Sequence, residues 1–151
     1  MKAPHLDPSA SETLRASAQA VEPGAPAART LRHQAPIDEA VLEGLHRLHR
    51  EGRPDFAKTV IMLFLESAPA ALRDLEQGAA RNDVTLLRSA SHILWSSSAA
   101  VGAVVLSARC KELEAFARSG SVPDAAARVQ VIGWLYTEAE GALRAWCAGR
   151  E

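Results

Sequence analysis

The chain has little that would brace a fold from outside or announce a common enzyme. It contains only two cysteines, Cys110 and Cys147. Both fall inside helical patterns and not at metal or redox spacing, which excludes a disulfide framework and a CxxC pair. They read as small apolar side chains in a reducing compartment. Aromatic residues make up 5% of the chain. No run approaches the roughly 18 consecutive apolar residues of a membrane span. The opening Met1-Lys2-Ala3-Pro4-His5 leads into no apolar stretch of the kind a secretory signal needs. A cytoplasmic location is therefore expected. The formal net charge is −1, so no basic field points to nucleic acid or to an anionic membrane. No GxxxxGK[ST] or other glycine-rich phosphate loop occurs, so no ATP site is expected.

What is present is an ordinary globular composition, 48% hydrophobic and 23% charged over 151 residues, enough for one domain with its own core. Residues 1–35 stand apart. They are rich in Ala, Ser and Pro and poor in large apolar residues, and so read as a flexible tail, with a marginal helix at residues 11–21. Residues 36–148 read as a helical bundle.

From Pro36 onward the apolar spacing is helical. Val41, Leu42, Leu45 and Leu48 predict a first helix that ends at Gly52, with Pro54 beyond. Asp55 opens a second, carrying Phe56, Val60, Leu63 and Phe64. Pro69 predicts a kink or restart, and Leu72, Leu75 and Ala79 continue the stripe. Asn82 or Asp83 can cap a third helix running to about Ala100, with a tight turn at Gly102. A fourth covers about residues 103–118, with Leu106, Cys110, Leu113 and Ala117 inward and Gly120 at its end. Ser121, Pro123 and Asp124 announce the last, with Ile132, Leu135, Ala139, Ala142 and Trp146 along its seam. Short loops make neighbours antiparallel. The expected fold is all-α: an antiparallel up-down four-helix bundle with one or two accessory N-terminal helices.

One helix carries a candidate site. At about 100° per residue, Leu87, Ala90, Leu94, Ser97 and Val101 share a core side, flanked by Leu86, Ile93 and Ser98. Arg88, His92, Trp95, Ser96 and Ala99 fall opposite, toward water. An exposed helix histidine is usually an ordinary surface residue. Here a tryptophan shares its stripe, where a partner would be expected to cover it. Around both lie small residues, Ser91 and Ser96 to Ala100, and helix propensity alone would not select three consecutive serines within a helix.

The run His92-Ile93-Leu94-Trp95-Ser96-Ser97-Ser98-Ala99-Ala100-Val101-Gly102-Ala103 resembles the signature of histidine phosphotransfer (HPt) domains, roughly His-x-Leu-Lys-Gly-Ser-Ser/Ala-x-x-x-Gly-Ala. Further landmarks agree in order: Phe64-Leu65-Glu66-Ser67-Ala68-Pro69, Asp83, Leu106 and Leu113-Glu114. The resemblance covers about residues 37–119. It implies that His92 is a phosphoacceptor, and that Arg88, Trp95, Ser96 and Ala99 face a partner. It also implies a monomeric signalling intermediate, not a kinase. The partner would be the receiver domain of a hybrid sensor histidine kinase, of a response regulator, or both. No cofactor is expected in this chain; Mg²⁺ would be supplied by the receiver. Two positions depart from the pattern, with Trp95 where the family has Lys and Ser96 where it has Gly. Trp95 brings no charge, for which Arg88, one turn earlier, could substitute. Two alternatives stand beside relay: a docking module that binds and inhibits a receiver or kinase without efficient transfer, and an unrelated helical adaptor. His46 and His49 could share a metal, but no further ligand follows at a recognisable spacing. Adjacent Ser91 and His92 do not face each other on a helix, so a hydrolase triad is unsupported.

Overall fold

A computed structural model describes residues 34–150. Most of the N-terminal tail, and the helix expected at residues 11–21, lie outside them. Five helices follow in order: α1 (Glu39–His46), α2 (Phe56–Arg81), α3 (Val84–Ala100), α4 (Val104–Arg118) and α5 (Ala125–Ala148). No strand occurs among the described residues.

The starts of α1, α2 and α3 are fixed by aspartates. Asp38, Asp55 and Asp83 each sit at an N-cap with extended backbone, and their carboxylates accept from the N–H groups of Ala40, Ala57 and Leu86. Each bond satisfies a donor that the helix itself leaves open. Asn82 closes α2 in the left-handed conformation, so Asn82 and Asp83 divide the roles that sequence left open between them. Residues 82–83, 101–103 and 119–124 are the only links between the four long helices. Such short links turn each helix antiparallel to the one before. α2 packs on α3 and α5, and α4 closes the ring by packing on the same two; α1 lies on α2. This is the expected four-helix bundle with an accessory helix.

The core is aliphatic. Leu42, Ile61, Leu75, Leu87, Leu94, Leu106, Leu113, Ile132 and Leu143 are fully buried. Gly102 anchors the front of the bundle. Its φ of +78° suits glycine, and a Cβ there would lie 2.7 Å from the Asp38 carbonyl oxygen. Its own carbonyl accepts from the Asp38 N–H at 2.7 Å, tying the α3–α4 turn to the start of α1.

Several expectations need correction. α1 stops at His46 instead of running to Gly52. The predicted stripe residue Leu48 is exposed, so nothing rewards a longer helix. The His46 imidazole instead bonds the Asp55 carboxylate at 3.0 Å, which draws the chain toward the start of α2. α2 runs through Pro69 without a break. Ala68 and Ala71 are buried on either side, and tertiary packing offsets the lost backbone bond. Phe56 and Leu63, placed with the apolar pattern of α2, are exposed. So is Ile93, at 55%, although the helical wheel set it beside the core.

Candidate functional site

α3 and α4 make the most extensive contact in the bundle. The small side chains of α3 allow it. Ser91 and Ser98 are buried, and their hydroxyls bond back to backbone carbonyls, Ser91 to Leu87 at 2.6 Å and Ser98 to Trp95 at 3.1 Å. This local bonding satisfies each hydroxyl in the helix interior. These two serines therefore serve close packing within the bundle and not the approach of a partner, which corrects part of the sequence argument. Ser96 and Ala99 do face outward, as do Arg88 and His92.

His92 stands at the seam between α3 and α4 with its side chain 55% exposed. Its Nδ1 lies 3.0 Å from Oε1 of Glu114. Glu114 is itself buried, its side chain only 7% exposed. The same carboxylate accepts from the Trp95 indole N–H through Oε2, and from the Arg118 guanidinium at 2.8 Å. Burial pushes the Glu114 carboxyl up, but the bonds from His92 and Trp95 and the charge of Arg118 outweigh it, and the net direction is below its ordinary value. Glu114 is therefore an ionised acceptor at neutral pH. An ionised carboxylate has no proton to give, so Nδ1 of His92 carries the hydrogen. That leaves the Nε2 lone pair as the reactive position of the ring.

Trp95 does not stand free in water, as its place on the helical wheel implied. It is half-buried. Its ring meets that of His92 edge-on, with centroids 5.4 Å apart, and the Lys111 ammonium lies 5.7 Å from its centroid. The Ser107 hydroxyl donates to the Trp95 carbonyl at 2.8 Å. The indole is thus covered largely from within, by α4, so its presence alone does not call for a partner.

Sequence reasoning found His92 and Trp95 but missed what holds them. Leu113-Glu114 was matched only as a landmark, and Lys111 and Arg118 were not singled out. The available signal was the spacing of positions 111, 114 and 118, which share one stripe of α4. Arg88, the substitute cation suggested by sequence, makes no ion pair and no side-chain hydrogen bond among the described residues. The cation nearest the histidine's partner is Arg118.

The other polar clusters offer less. His46 and His49 stack with ring centroids 6.2 Å apart, and the described residues hold no group of three or more metal-ligating side chains. Cys110 is buried, which pushes its thiol up to about 12, so thiolate chemistry is closed to it near neutral pH. No described helix is long and apolar enough to cross a membrane.

An all-helical bundle with an outward imidazole on α3, oriented by a carboxylate from the neighbouring helix, fits a protein that offers a nucleophile at its surface. The comparisons name the class. The Hpt domain family model matches residues 59–148, and the chain belongs to that family. Its general role is therefore phosphotransfer within phosphorelays. Among solved structures it is similar to the crystal structure of histidine-containing phosphotransfer protein B (HptB) from Pseudomonas aeruginosa PAO1. The TM-score is 0.65 and the identity 26%, over 72% of this chain and 91% of that one. No curated protein matches the sequence.

Proposed function

We propose that His92 accepts a phosphoryl group from the aspartyl phosphate of a receiver domain and passes it to the aspartate of another. The observation that supports this reading is the Nδ1–Glu114 hydrogen bond at 3.0 Å, which favours the hydrogen on Nδ1 and keeps the Nε2 lone pair for attack, on a side chain that is 55% exposed. In the forward step the Nε2 lone pair forms the N–P bond. The P–O bond to the aspartate breaks, and its electron pair leaves with the carboxylate. The ring then carries positive charge while Nδ1 keeps its proton, and Glu114 stabilises that charge. Return transfer is the reverse. Phosphoryl transfer asks mainly for in-line positioning and charge neutralisation, so one positioned imidazole suffices on this side. The receiver supplies the aspartate and the Mg²⁺. Arg88, Ser96 and Ala99 border His92 on the outward stripe and would meet the docked receiver.

Incubation with receivers phosphorylated on aspartate tests the proposal. The expected result is loss of receiver phosphoaspartate with matching gain of acid-labile phosphate on this chain. A stable complex without phosphohistidine would instead establish the docking module.

A further inference from the structure

A phosphoryl group on His92 would bring negative charge beside Glu114, which is already ionised. Two of the cations near this site differ in how they are engaged. Arg118 is committed to Glu114 at 2.8 Å. Lys111 forms no ion pair among the described residues. Its ammonium rests over the Trp95 ring, 5.7 Å from the centroid, and that ring meets His92 edge-on. Other α4 cations are held by carboxylates, as Arg109 is by Glu112 at 3.1 Å.

We propose that Lys111 supplies the cation that faces the phosphoryl group on His92, with Trp95 as the cradle that keeps it there when the site is empty. This rests on the reading of His92 as acceptor. Three features support it. Lys111 lies one turn before Glu114 on α4, and its ammonium already reaches the indole whose ring meets His92 edge-on. A cation over an aromatic face is held weakly where it is exposed, and Lys111 is exposed. A phosphoryl oxygen offers a charge-assisted hydrogen bond, which is stronger. The ammonium would therefore leave the indole for the phosphoryl group, and its flexible four-carbon stem permits the move. Arg118 would have to give up its 2.8 Å ion pair with Glu114 to make the same move.

The test uses the full chain and phosphoramidate, a small donor that removes receiver docking from the measurement. Nε2 of His92 bonds to phosphorus, the P–N bond of the donor breaks, and ammonia leaves after taking up a proton. The rate of acid-labile phosphorylation at His92 is compared for wild type, Lys111→Gln, Lys111→Arg and Lys111→Glu. Lys111→Gln should be slower by roughly two- to fivefold, the range open to an exposed charge pair. Lys111→Glu should be slower still, and Lys111→Arg should restore the rate. Added salt should narrow the gap between wild type and Lys111→Gln. The Trp95 indole N–H resonance should stay in place in Lys111→Gln, showing that the Glu114 contact is intact. A Lys111→Gln rate equal to wild type overturns the proposal, as does a loss that Lys111→Arg fails to rescue. If His92→Gln is labelled as fast as wild type, the acceptor reading fails and this one with it. If only Lys111→Gln behaves as wild type, the acceptor reading stands and Lys111 has no part in it.

Discussion

Replacing His92 with glutamine should abolish phosphoryl uptake while leaving the bundle folded. An amide nitrogen shares its lone pair with the carbonyl and does not attack phosphorus. The buried Glu114 carboxylate loses the bond from His92 Nδ1 but keeps those from the Trp95 indole N–H and the Arg118 guanidinium. The His92 side chain is 55% exposed, and exposed substitutions of this kind usually change stability by less than about 0.5 kcal/mol. Thermal unfolding should match wild type within a few degrees, and labelling from a phosphorylated receiver should fall to background. Residual transfer at the wild-type rate would place the acceptor elsewhere in the chain.

The second large effect is expected at Glu114. Glu114→Ala removes the one group that orders three others, His92, Trp95 and Arg118. Without the carboxylate the imidazole loses its fixed tautomer, and the positive charge of the phosphorylated ring loses its counter-charge. Transfer should slow by about 10- to 100-fold, the scale seen when the carboxylate partner that orients a metal-ligating histidine is deleted. Stability should fall by about 1–3 kcal/mol as the buried contacts are lost. Glu114→Gln separates the two roles, since it keeps an acceptor and loses the charge. Its pH behaviour also differs. The folded Glu114 titrates below its ordinary value, so the stability it contributes is fully present above the unfolded value of about 4.3 and is lost as pH falls through the folded one. Acid unfolding of Glu114→Gln should therefore show a shallower pH dependence below about pH 4.5 than that of wild type. Equal transfer rates in Glu114→Ala and wild type would show that His92 needs no orienting partner.

Much of this was legible because local chemistry decides it. Asp55 and Asp83 announce their helices by capping them, and Gly102 takes a backbone conformation that other residues enter at a cost. Leu94 and Leu106 follow the helical period into the core. His92 could be set on the outward stripe by the same period. What escaped depends on contacts between elements. The partner of His92 lies 22 residues away on the next helix, and no periodicity within α3 can reveal it. Trp95 sat on the outer side of the wheel, yet α4 rises to cover it. Ile93 sat beside the core on the wheel, yet its side chain is exposed. The end of α1 escaped for a related reason, because the bond from His46 to Asp55 redirects a chain whose apolar spacing runs on to Leu48.

The account stands on one nitrogen. After phosphorylation by a receiver, ¹⁵N and ³¹P NMR of the intact chain locate the new bond. Phosphorus joined to Nε2 of His92, with Nδ1 still protonated and hydrogen-bonded, is the predicted result. Phosphorus on Nδ1, or on any residue other than His92, would contradict it.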